Sequence, residues 1–266
     1  MSQIVSISYE AKHVAHVQLN RPEKKNALSL EMFEALPNAA AGISEDRETR
    51  VVVMSGRGGD FCAGLDLAMF QYFAPRIAEI RETLTNPPAG ECANFFQKPV
   101  TCWQDLPQPV VAAIDGVCLG GGMQLSLAAD FRIASPEARF SIMETRWGLI
   151  PDMGITRSLP KLMRADQAKE LIMTARVIDA KEALSLGLIT RIADDPVGAA
   201  LDLASSLATR SPDAVQASKK LVDNGWSGSA VETLALEARL QAQIIGGPNQ
   251  VEAVMAGMQK RDPDFA

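Results

Sequence analysis

Two short apolar runs, VVVMS at 51–55 and PVVAAIDG at 109–116, each end in a glycine-rich turn, and this repeated grammar restricts the fold more than any other feature. An unbroken β-branched run reads as a strand buried on both faces, and such strands belong to sheets covered by helices. The second run leads into Gly120, Gly121 and Gly122, and then into the helical stretch MQLSLAAD. FRIAS and ARFSIM add further short strands. The opening segment IVSISYEAKHVAHVQLN alternates and breaks at Glu10-Ala11-Lys12, as a hairpin does. Ser29 is placed to start the next helix. The expected class is α/β, built from strand–turn–helix repeats.

From about residue 152 strands almost vanish from the pattern. Asp179 and Glu182 fit a capping box, and Ser211-Pro212 fits an N-cap with proline at the first helical position. Val197, Ala200, Leu201 and Ala204 recur at helical spacing, as do Leu236, Leu240 and Ile244. A β-rich core over residues 1–195, followed by a helical region over 196–266, is the expected organisation within one domain. Residues 71–108, with Pro87-Pro88 and Phe95-Phe96, form the least regular stretch and are expected as a variable wall over a pocket.

Composition excludes several functions. A formal charge of −6 leaves no electrostatic footprint for nucleic acid or an anionic membrane. No apolar run approaches a membrane-spanning length. Cys62, Cys92, Cys102 and Cys118 form no CxxC pair and follow no secretory leader, so a reducing cytoplasm is expected. His13 and His16 fall at opposite parity in one strand, which suits surface or edge positions and makes a poor metal pair. GxSxG, HExxH, Walker and Rossmann spacings are all missing. The expected chemistry uses carboxylates and backbone amides, without a metal or a tightly bound cofactor.

Two glycine turns, SGRGGDFCAGLDL at 55–67 and IDGVCLGGGMQLSLAAD at 114–130, can each present a free N–H at the end of a strand. Two such donors on one oxygen make an oxyanion hole, and a helix start adds positive potential. Tight helix–strand packing and a phosphate or nucleotide site at the glycine helix are the alternative explanations. LNRPEKKNAL (19–28), GDFCAGLDL (59–67), GVCLGGGMQL (116–125) and METRWGLIPDMG (143–154), in this order, resemble the crotonase superfamily of enoyl-CoA hydratases and isomerases. The resemblance extends to QKRDPDF at 259–265 and implies the crotonase-like fold.

Position by position, it implies that the N–H groups of Leu65 and Gly121 hold a thioester enolate oxygen. It also implies a coenzyme A site along Lys24, Lys25, Ala27, Ala63, Asp66 and Leu67, with Gly120, Gln124 and Pro151 lining the substrate. Coenzyme A enters as part of the substrate, not as a resident cofactor. The lysines read equally as ordinary solvated charges.

Hydratases of the superfamily hold water between two glutamates, and here those positions are Gln124 and Glu144. A glutamine cannot accept a proton as a carboxylate does. Asp152 stands where dienoyl-CoA isomerases carry an aspartate, and it reads equally as an N-cap. The resemblance therefore favours double-bond isomerisation with Glu144 as acid/base, Asp152 as a second acid and Gln124 as an orienter of substrate or water. Hydration by Glu144 and Asp152 is the alternative, and a non-catalytic interaction protein on the same fold is the alternative of another class. Asp130 and Arg132 are expected to form a structural ion pair or cap. The resemblance further implies a homotrimer or hexamer, with Phe265 or Lys260 approaching a neighbour's coenzyme site.

Overall fold

A computed structural model describes residues 3–266; Met1 and Ser2, at the head of the expected core, lie outside the described residues. Strands β1 (Val5–Ala11) and β2 (Val14–Leu19) form the antiparallel hairpin. Its turn is Lys12-His13, with His13 at φ 64°, two residues later than the alternation suggests. Helix α1 (Leu30–Glu45) follows, and Ser29 caps it by accepting from the Met32 N–H at 3.3 Å. Strand β3 (Val51–Gly56) then pairs in parallel with β2.

The 71–108 stretch is more regular than expected. It takes in the end of helix α2 (Ala68–Phe73) and all of α3 (Ile77–Thr85) and α4 (Lys98–Asp105). Phe33, Phe73, Phe95 and Phe96 pack ring to ring beneath it, with centroids 5.2–6.0 Å apart. The proline pair and the aromatic pair lie in the connection between α3 and α4, which hides the two helices from a reading of composition.

Strand β4 (Val110–Ile114), strand β5 (Val117–Leu119) and helix α5 (Gly121–Ser126) realise the strand–turn–helix unit around the glycine triplet. Strands β6 (Phe131–Ala134) and β7 (Arg139–Ser141) follow. Beyond them lie α6 (Ile155–Ser158), α7 (Ala165–Thr174), β8 (Ile178–Asp179), α8 (Ala180–Ser185) and β9 (Arg191–Ile192). Helices α9 (Pro196–Ala208), α10 (Pro212–Gly225), α11 (Ala230–Ile244) and α12 (Pro248–Gln259) complete the chain. Asp179 caps α8, but Glu182 turns to Arg176 instead of closing the capping box.

The main sheet runs β1-β2-β3-β4-β6-β9, parallel from β2 onward, and a smaller sheet runs β5-β7-β8. One face of the main sheet buries Val17, Leu19, Met54 and Ile114 against α1, α4 and the second sheet. The other buries Val14, Val51, Val53, Val111 and Ile133 against Ala200, Ala204 and Ala208 of α9. The helical spacing at 197–204 is thus the stripe of a helix that closes the far face, so the segment after 196 begins within the core.

Two long-range polar contacts tie the C-terminal helices to the sheet. Lys219 on α10 pairs with Asp130 at 2.9 Å and also donates to the Gln108 carbonyl. Arg132 does not bond Asp130 as expected; its guanidinium donates to the Ala129 and Leu188 carbonyls. Burial pushes the Asp130 carboxyl up, against the opposing pull of Lys219. Phe265 is buried within its own chain, where Arg50 donates to its carbonyl at 2.8 Å and stacks over its ring, so it is not free to reach a neighbour as expected.

His16 is buried, a correction to its expected surface position. Its Nδ1 lies 2.9 Å from the Glu10 carboxylate and its Nε2 lies 2.8 Å from the Ser55 hydroxyl. A carboxylate only accepts, so Nδ1 carries a hydrogen and donates to Glu10. The order serine, histidine, carboxylate supports acyl transfer only where the hydroxyl meets a substrate. Ser55 is sealed inside the sheet, so this series ties three strands together.

Candidate active site

The site grows from the two glycine turns. After β3 the chain reverses, and Phe61 and Cys62 donate to the carbonyls of Asp115 and Val117, each at 2.9 Å. Leu119 returns the bond to the Cys62 carbonyl, so Cys62 and Cys118 lie side by side as a parallel bridge. Asp60 reinforces the junction by accepting from the Val117 N–H at 2.9 Å. Beyond this seam the N–H groups of Leu65 and Gly121 are among those left unused. Leu28 donates to the Gly64 carbonyl and Asp66 donates to the Leu28 carbonyl, which steps over the Leu65 N–H. Gly121 is the first residue of α5, and among the described residues neither its N–H nor that of Leu65 has an intramolecular acceptor. The first turn of any helix leaves such N–H groups free.

Each glycine of the triplet has its own reason. Gly120 adopts φ 51°, ψ −122°, and a Cβ there would sit 3.6 Å from Glu144 Oε1. At Gly121 a Cβ would meet Leu28 Cδ1 at 2.8 Å and Met153 Sδ at 3.0 Å. At Gly122 it would collide with the Cys62 carbonyl oxygen at 2.4 Å. At Gly120 the left-handed backbone, not contact, disfavours a side chain; at Gly121 the Leu28 and Met153 side chains would have to move, and at Gly122 the Cys62 backbone excludes one. Gly64, at φ 90°, brings the turns together: a Cβ there would lie 2.8 Å from the Leu119 carbonyl oxygen and 3.5 Å from the Gly121 nitrogen.

Glu144 opens a short 3-10 turn, Glu144–Trp147, after β7. Its Oε1 accepts from Gln124 Nε2 at 2.6 Å, and its Oε2 is buried without a partner. Gln124 is itself buried and accepts the Met153 N–H at 2.8 Å. Gln124 thus holds Glu144 and the 151–154 turn, where substrate or water was expected. Burial raises the Glu144 pKa above the usual carboxylate range; the Gln124 hydrogen bond opposes this, and the charge of Asp152 adds to it. Asp152 is solvent-exposed as a residue, yet protein crowds its carboxyl enough to raise that pKa as well. It caps no helix: α6 starts from Gly154, without a side-chain bond.

The remaining candidates fall into two groups. Ala63 and Lys25 meet through a backbone bond at 2.9 Å, and Ala27 lies buried on the same strap. Lys25 pairs with Asp60 at 3.3 Å, Lys24 is exposed, and Leu67 is 60% exposed at the rim. Asp66 is engaged by Arg21 at 2.8 Å and accepts the Ala68 N–H, which makes it a clamp on the turn. Pro151 is half-buried beside Asp152. A hollow of about 360 Å³ at the hairpin tip, lined by Tyr9, Glu10, Lys12, His13 and Glu48, shares no residue with this site.

Asn26, Asp60 and Met153 escaped the sequence reading. Asn26 is buried at φ 55°, donates to the Arg57 and Asp60 carbonyls and accepts from the Arg21 N–H. Asparagine tolerates left-handed backbone and bonds locally, so its place after two lysines was the available signal.

A sequence profile described as enoyl-CoA hydratase/isomerase matches residues 10–266, almost the whole chain. This protein belongs to the enoyl-CoA hydratase/isomerase family. It is 34% identical to rat mitochondrial Δ(3,5)-Δ(2,4)-dienoyl-CoA isomerase, over 97% of this chain and 80% of that one. It is 32% identical to human mitochondrial methylglutaconyl-CoA hydratase, over 96% and 74%. Among solved structures, an enoyl-CoA hydratase from Bacillus anthracis superposes with a TM-score of 0.90 at 34% identity, covering 99% of each chain. The chain is an enzyme of the lyase or isomerase kind, with the crotonase fold. Among the described residues no helix is long and apolar enough to cross a membrane.

Proposed function

We propose that this enzyme isomerises a double bond in an enoyl- or dienoyl-CoA thioester, with Glu144 as the proton carrier. The observation that carries this reading is the state of Glu144: one carboxylate oxygen is held by Gln124 and the other is buried and free, beside the glycine turn that leaves the Gly121 N–H unused. Glu144 takes a proton from the α-carbon of the thioester. The electron pair spreads into an enolate whose oxygen accepts from Leu65 and Gly121. The proton returns at the γ-carbon, the double bond moves, and the composition of the substrate is unchanged. Burial suits Glu144 to this role, because a carboxyl whose pKa lies closer to neutrality both takes and gives a proton readily.

Lys24, Lys25, Ala27, Ala63, Asp66 and Leu67 form the coenzyme A side of this site, Asp66 by holding the turn. Gly120 and Pro151 face the acyl side. The protein assembles as a homotrimer or hexamer, a reading supported by exposed Met173, Val251, Val254 and Met258 on α7 and α12. Four unpaired cysteines suit a reducing cytoplasm.

Hydration with Glu144 and Asp152 around a water is the second reading, favoured by the charge of Asp152 felt at Glu144. A panel of enoyl-CoAs separates the two by mass and chromatography. Unchanged mass with altered retention is the expected result; addition of water to every substrate consumed overturns isomerisation. Light scattering tests the assembly, and a monomer mass at micromolar concentration contradicts it.

A further inference from the structure

We infer that Gln124 is a positioning residue that reserves Glu144 Oε2 as the single proton-carrying atom, and so commits the site to moving a proton rather than adding water. This rests on the reading of Glu144 as proton carrier. The Met153 backbone N–H can only donate, and it lies 2.8 Å from Gln124 Oε1. That bond fixes the orientation of the amide, so its N–H₂ must face Glu144 Oε1, 2.6 Å away. One lone pair of Oε1 is thereby engaged, while Oε2 has no protein partner. Gln124 is buried on α5, three residues after Gly121, so a six-residue helix carries both the wire to the base and an unused oxyanion donor.

The neutral amide also decides how many proton carriers the site has. An amide at this distance holds a carboxylate without exchanging a proton with it. A carboxylate in the same place would share a proton with Glu144, since two carboxyls so close do not both ionise, and the pair would titrate as a unit. Asp152 supplies the neighbouring charge that Glu144 feels, but no hydrogen bond joins these two among the described residues.

The test uses the full chain with Gln124→Met, which keeps length and loses both bonds, and Gln124→Glu, which adds a carboxyl. Thermal melts confirm folding. The Glu144 carboxyl is followed by ¹³C NMR titration without substrate, and kcat and KM are measured against pH with an enoyl-CoA. Gln124→Met is expected to raise the Glu144 pKa by about one unit, because a hydrogen bond to the charged form is lost. It should lower kcat about 10²-fold through misplacement of the base and leave KM nearly unchanged. Gln124→Glu is expected to move the acid limb of the pH profile upward and to admit oxygen from H₂¹⁸O into product. An unmoved Glu144 titration in either folded variant, or a wild-type kcat–pH profile in Gln124→Met, overturns the inference. If the titration moves as expected but the wild type exchanges no solvent deuterium into any enoyl-CoA, the wiring stands and the proton-carrier reading fails.

Discussion

Gly64→Ala and Gly59→Ala perturb one turn in two different ways. Both glycines have positive φ, 90° and 81°, so either alanine forces an L side chain into backbone that it avoids. Such strain costs about 1–3 kcal/mol. The surroundings differ: a Cβ at Gly59 meets nothing within 4 Å, whereas one at Gly64 lies 2.8 Å from the Leu119 carbonyl oxygen. That oxygen is backbone, held by the strand seam, so the turn carrying Leu65 must yield. Displacing one oxyanion donor costs on the order of 10²–10³ in kcat, roughly 2.7–4 kcal/mol. Both variants should therefore lose a few degrees of Tm, at about 2–4 °C per kcal/mol. Only Gly64→Ala should lose turnover, with KM little changed. Chemical denaturation combined with steady-state kinetics on one enoyl-CoA makes the comparison. If Gly64→Ala keeps its kcat within about threefold of Gly59→Ala, far less than the loss of one donor costs, the convergence of the two turns plays no part in catalysis.

Other perturbations reach the frame and the acids. Lys219→Met leaves the half-buried Asp130 carboxylate with only the Val110 N–H and should destabilise the fold by about 1.5–3 kcal/mol in urea titrations; a change under about 1 kcal/mol contradicts the latch. Glu144 has a raised pKa in the folded protein, so its ionisation opposes folding, and that penalty grows as pH rises from the unfolded value through the folded one. Glu144→Gln should therefore be more stable than wild type at pH 8 and equal to it near pH 4 by thermal melt, while being inactive. Asp152→Asn, which removes a second raised carboxyl, should show the same stability trend; a loss of stability at pH 8 means that the carboxylate holds the turn after all. Gly122→Ala drives a Cβ into the Cys62 carbonyl at 2.4 Å and should fold poorly at 37 °C, as proteolysis would reveal.

Strands β3 and β4 were legible because apolar, β-branched runs with terminal glycines have few other uses, and Ser29 and Ser211 declared their helices by capping chemistry. The site turns were legible for the same reason, since glycine density marks places where a backbone must come close. Strands β8 and β9 were not, because two residues carry no periodicity and their pairing depends on β7 and β6. The burial of His16 follows from a partner 39 residues away, and the Lys219–Asp130 latch spans a still longer separation. Local pattern is silent about such pairs. Asp66 and Gln124 stood out by position alone, and their bonds to Arg21, Glu144 and Met153 come from distant segments that local pattern does not show.

Solvent-deuterium incorporation by wild type and Glu144→Gln, measured side by side on an enoyl-CoA in D₂O, tests the central claim most directly. Wild type is expected to place deuterium at the α- and γ-carbons with no added water, and Glu144→Gln to lose both exchange and isomerisation by about 10²–10⁴. Undiminished exchange in a folded Glu144→Gln protein contradicts it.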